Sequence, residues 1–167
     1  MAIVKATYTK NRAGAKASIR YIEHRPGRDG EKITRNLFNS DGLVGRWQAN
    51  RMIDEAKQGS YFYRFAISPD MKTEDTKQDV SLREVTEQTM LTLEQQLQQQ
   101  IAWVAAVHAD HAPHRHMHVV AIVPERLQVQ DFQAMRTTAT EQALAQRHQR
   151  DLVLQQQQEQ QKEAQWE

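Results

Sequence analysis

Five of the chain's seven histidines fall between His108 and His118, in the run His108-Ala-Asp110-His111-Ala-Pro113-His114-Arg-His116-Met-His118. Alternate residues of an extended strand share one face, so His116 and His118 project side by side, and His114 joins them if the strand starts early. His108 closes the apolar run Ile101–His108, which a hairpin would lay against the neighbouring run His116–Val123. Imidazoles from two paired strands can then converge on one point. Neutral imidazole is the commonest protein ligand for divalent transition metals, and ligands on rigid strands leave coordination positions open for water or a phosphate oxygen. The chain has no cysteine, so a metal here has to sit on nitrogen and oxygen. Asp110, two residues past His108, reads either as a further ligand or as a carboxylate holding the far nitrogen of a ligating histidine.

The elements that must position this cluster follow from period and punctuation. Residues 2–8 read as a first strand, 11–14 as a turn, and 15–24 as a helix with apolar positions at Ala15, Ile19 and Ile22, stopped by Pro26-Gly27. Residues 26–42 read as a long loop with a short strand near 33–38, and 46–57 as a helix ending at Gly59. Tyr61–Ser68 is a strong strand, and Ser81-Leu-Arg-Glu84 a capping box opening a helix to about Gln98. Strands 101–108 and 116–123 follow, then a helix from Leu127 that grades into the glutamine-rich stretch 155–161. Tightly joined strands point to an α+β domain: a central antiparallel β-sheet flanked by helices. We divide the chain into a domain over 1–150 and a glutamine-rich helical tail over 151–167 that could begin a linker.

Charge is uneven along the chain. Residues 1–57 hold twelve Lys/Arg against six Asp/Glu, while the whole chain carries a formal net charge of +1. A basic first third suits a surface that tracks phosphates. No apolar run approaches the ~20 residues of a membrane span, and the opening residues lack a secretory leader's apolar core, so a cytoplasmic location is expected.

The histidine run, with His108-x-Asp110 followed by Pro113-His114-x-His116 and an apolar strand, resembles the third motif of the plasmid mobilisation relaxases. These belong to the endonucleases named for a His-hydrophobic-His pair. The resemblance spans roughly residues 1–125 and implies a relaxase-like fold. It implies His108, His116 and His118 as metal ligands, with His114 and His116 as an alternative pair, and Asp110 as their catalytic support. The implied cofactor is a divalent metal, Mg²⁺ or Mn²⁺ first, with Zn²⁺, Ni²⁺ or Co²⁺ compatible with three histidines.

Such an enzyme cuts one DNA strand by tyrosine attack, leaving a 5′-phosphotyrosine bond and a free 3′-hydroxyl, and later religates it. The chain's four tyrosines are Tyr8, Tyr21, Tyr61 and Tyr63, and none follows the histidines. In relaxases the nucleophile lies near the N-terminus. Tyr21, in Ile19-Arg20-Tyr21-Ile22 on a short basic helix, matches that first motif, with Tyr8 the other candidate. Lys16, Arg20 and Arg25 would then contact DNA, and His24 could orient a phosphate. The implied partners are single-stranded DNA at a transfer origin and accessory relaxosome proteins. Because imidazole ligands must be unprotonated, activity is expected to fall as pH drops through about 6.5. Two other readings start from the same residues: an origin-binding module with a structural metal, and a nuclease in which a metal activates water.

Overall fold

Alternation along Tyr61–Ser68 explains the architecture: Phe62 faces one way, while Tyr63, Phe65 and Ile67 face the other, and both sets are buried. A strand apolar on both faces needs cover on both sides. The computed structural model describes residues 1–109 and 114–166. In chain order the elements are β1 (Ile3–Thr9), α1 (Arg12–His24), β2 (Leu37–Asn39), β3 (Gly42–Val44), α2 (Arg46–Asp54), β4 (Tyr61–Ser68), α3 (Leu82–Leu97), β5 (Trp103–His108), β6 (His116–Val123) and α4 (Val129–Trp166). The strands form one six-stranded sheet in the order β1-β4-β6-β5-β2-β3, antiparallel at every pairing. The domain is α+β.

One face carries the larger core, where Phe65, Ile67, Trp103, Met117 and Val119 pack with Met90 and Leu93 of α3 and Met135 and Ala139 of α4. The other face carries a smaller core, in which Ala15, Ile19 and Ile22 of α1 and Ala49 and Ile53 of α2 lie against Phe62, Val104, Ala106 and Val120.

Three local results differ from the sequence reading. α1 begins at Arg12 rather than Ala15, because Asn11 acts as N-cap and its side chain accepts from the Gly14 amide at 3.0 Å. The expected loop over 26–42 ends in a β2–β3 hairpin, with Asn39 paired to Gly42 around a two-residue turn. Gly42 has φ +132°, a conformation that L side chains rarely adopt, so the glycine permits the turn. α2 is also shorter than expected, stopping at Asp54.

Ser81 caps α3 by accepting from the Glu84 amide at 3.3 Å. α4 buries Met135, Ala139, Ala143 and Arg147, one residue per turn, and its residues from Leu152 on are exposed. The helix passes residue 150 without a break. Among the described residues no helix is long and apolar enough to cross a membrane.

Candidate metal centre

The register of β5 against β6 builds the cluster. His108 pairs directly with His116, and Ala106 with His118, so all three imidazoles stand on the α1 side of the sheet. Their ring centroids lie 4.4 Å (His108–His118), 4.8 Å (His116–His118) and 5.3 Å (His108–His116) apart. Each offers one nitrogen, and these nitrogens all lie within 4.8 Å of one another.

Hydrogen bonding gives the cluster a polarity. His108 is fully buried, and its Nε2 is 2.9 Å from the carbonyl oxygen of Ile22 in α1. A carbonyl oxygen can only accept, so Nε2 carries the proton and the lone pair sits on Nδ1. That Nδ1 is buried with no hydrogen-bond partner, as are both ring nitrogens of His118. Buried polar nitrogens left without a partner cost roughly 1–3 kcal/mol each. A cation held by converging lone pairs would remove that cost at one nitrogen of each ring, and a ligating histidine typically donates its other N–H to a carbonyl or carboxylate, as His108 does. The three residues therefore fit a divalent metal.

Burial drives both buried rings towards the neutral form that a metal needs. His108 is pushed down to about 4, first by loss of water, partly offset by the Ile22 hydrogen bond, and then by the nearby Arg35 charge. His118 is pushed down to about 3 by loss of water, the two neighbouring imidazoles, and the charges of Arg64 and Arg25. The guanidinium groups acting on the rings give the site a positive field, which favours an anionic ligand beside any metal.

α1 brings Tyr21 to the same place. Ile19 and Ile22 anchor the helix on the sheet, and the Tyr21 ring stands edge-on to His118, with centroids 6.3 Å apart and planes at 83°. The Arg64 guanidinium lies 5.1 Å from the Tyr21 ring centroid and that of Arg25 5.9 Å. Tyr21 remains 41% exposed, so its open side can meet a macromolecule. Tyr8 is on the other face: it pairs with Tyr63, which belongs to the α3–α4 core, and its ring packs 5.2 Å from those of Tyr61 and Tyr63.

Of the basic residues read from the sequence, only Arg25 reaches the tyrosine. Lys16 pairs with Asp54 of α2 at 2.6 Å, joining the two helices, and Arg20 is exposed. His24 is engaged by Glu23, Arg46 and Thr34. His114 is exposed, two residues ahead of β6 and outside the group of three. Asp110 lies outside the described residues. Between His114 and His116, Arg115 makes a bidentate pair with buried Asp75 (2.9 and 2.7 Å) and donates to the Val80 carbonyl at 2.8 Å, which anchors the start of β6.

Sequence reasoning missed Arg64, Arg35 and Lys5. A cavity of about 340 Å³ beside His118 is lined by Lys5, Thr7, Arg64 and Ala66. Strand period does place Arg64 opposite in facing to Tyr63, but only the register of β4 on β6 carries it to the cluster. A larger cleft of about 680 Å³ opens near Met52, Ile122 and Pro124, and its lining includes no histidine.

Fold and site together define an α+β domain with a candidate three-histidine metal centre and a tyrosine beside it. No protein-family model matches the chain, and no curated protein matches it significantly.

Proposed function

We propose that this protein is a metal-dependent DNA-nicking transesterase of the relaxase kind, with Tyr21 as its nucleophile. The observation that carries the reading is Tyr21 edge-on to His118 of the histidine cluster, beneath the Arg64 and Arg25 guanidinium groups. A half-exposed tyrosine, a candidate metal centre and a cationic surround together suit attack on a phosphodiester.

In this mechanism the Tyr21 phenolic oxygen attacks phosphorus in line. The bond to the 3′-oxygen breaks, the proton lost by the Tyr21 hydroxyl is matched by one taken up by that oxygen, and phosphorus stays bonded to Tyr21 and to the 5′-oxygen of the downstream nucleotide. Reversal religates the strand. His108, His116 and His118 would hold a divalent cation, which would supply neutralisation of the phosphate's charge. Arg64 and Arg25 hold the ring and draw the phosphate, and Ile22 holds His108 in the tautomer that leaves Nδ1 free. The supporting effects are positioning and charge, as in phosphoryl transfer generally.

The test is incubation of end-labelled single-stranded DNA of pooled sequence with Mn²⁺, resolved on a denaturing gel. A protein-linked band that disappears in Tyr21→Phe and on chelation is expected. Cleavage without any adduct would instead favour a metal-activated water, and binding without cleavage a binding module.

A further inference from the structure

α1 and α2 cover only part of their face of the sheet. The cross-strand row that contains His118 continues outward through Ala66 of β4 to Lys5 of β1, and the next row carries Arg64 opposite Thr7. On this face Ile3 is 52% exposed, Lys5 and Thr7 are exposed, and Arg64, Ala66 and Ser68 are half-buried. Their neighbours on the opposite face, Val4, Phe65 and Ile67, are buried in the core beneath α3 and α4. The β1–β4 margin is thus a bare shelf, reaching about 10 Å from His118 across two strand spacings.

Its chemistry is one-sided. Ile3, Lys5, Thr7, Arg64, Ala66 and Ser68 include two cations and no acid. Small side chains at Thr7, Ala66 and Ser68 leave room for a backbone to lie flat, and the 340 Å³ cavity opens there against His118. The shelf is continuous with the site, because Arg64 also lies over the Tyr21 ring.

We propose that this shelf carries the stretch of single-stranded DNA immediately flanking the cleaved phosphate, with Lys5 and Arg64 each contacting one backbone phosphate. The proposal rests on the nicking function above, and commits that function to a path across β4 and β1 towards the sheet edge. A nucleic acid suits the shelf better than an apolar protein segment because cations stand on both strands and Ile3 is its single large apolar side chain.

The experiment uses the full chain carrying Tyr21→Phe and random-sequence fluorescent single-stranded oligonucleotides, with anisotropy followed across salt concentrations. Lys5→Gln and Arg64→Gln should each weaken binding several-fold at low salt and reduce the log–log salt slope by about 0.7. Lys162→Gln, far along α4, should leave the slope unchanged. A photo-crosslinking residue at Thr7 should capture the DNA, and one at Leu43, on the opposite sheet edge, should not; this arm holds even if Arg64→Gln misfolds. DNA binding with the parent slope in both variants, or crosslinking at Leu43 alone, overturns the shelf and leaves the nicking function standing. No DNA binding by a parent chain that still shows metal-induced thermal stabilisation overturns both.

Discussion

The Nε2–H of His108 donates to the Ile22 carbonyl of α1 at 2.9 Å, across 86 residues of chain. Ile22 follows Tyr21, so one hydrogen bond ties the histidine cluster to the helix that presents the tyrosine. Metal binding should stabilise the whole domain. At a metal concentration 100 times Kd the gain is about 2.7 kcal/mol, on the order of 5–10 °C in Tm for a chain of this size. Differential scanning fluorimetry with Mn²⁺ or Zn²⁺ checks this, and an equal rise in His108→Ala would refute the site.

The metal-free protein should respond in the opposite sense to loss of His118. Both of its ring nitrogens are buried without a partner, so removing them lifts a desolvation cost. His118→Leu should leave metal-free stability unchanged or raise it by about 1 kcal/mol, while abolishing stabilisation by metal. Urea unfolding with and without metal separates the two effects. A loss of several kcal/mol in the metal-free variant would mean that His118 is a core residue in its own right.

Burial also holds two of the rings neutral well below the ordinary histidine range near 6.5. His108 stays neutral to about 4 and His118 to about 3 in the fold. The unfolded chain takes up protons on both near pH 6.5, so the metal-free fold keeps its full stability above that pH and loses it progressively as pH falls towards 4. For metal binding, three ordinary histidines would each release a proton near pH 5, whereas at most one does here. Calorimetry of metal binding at pH 5 in buffers of different ionisation enthalpy counts those protons. Release of three would show that the rings are solvated.

The histidine cluster was legible because a strand repeats every two residues, and His116-Met117-His118 states its own facing. The apolar alternation of Tyr61–Ser68 marked β4 for the same reason. What could not be read was register. Arg64 lies over Tyr21 because it pairs with Val120, two residues beyond His118, and nothing local encodes that pairing. The β2–β3 hairpin was missed since three-residue strands carry too little period to detect, although Asn39-Ser40-Asp41-Gly42 at their junction is a run of turn formers. The sequence already favoured Tyr21, on its short basic helix, over Tyr8 at the end of β1, and the structure puts the two on opposite faces of the sheet.

That separation yields a prediction for all four tyrosines. Tyr21→Phe removes a hydroxyl on a half-exposed ring at the cluster, so fold and metal binding should persist while the DNA adduct falls by roughly three orders of magnitude or more. Tyr8→Phe and Tyr61→Phe act on the far face and should leave adduct formation within a few-fold of the parent. Tyr63→Phe differs again: its buried hydroxyl accepts from the Leu127 amide at 3.0 Å, and losing it strands that donor at a cost of about 1–3 kcal/mol. A destabilised Tyr63→Phe that still forms adduct, beside a stable Tyr21→Phe that forms none, distinguishes the nucleophile from a structural tyrosine. Adduct formation that survives Tyr21→Phe but is lost in Tyr8→Phe would place the chemistry on the opposite side of the sheet, away from the histidines, and so refute the site as assigned.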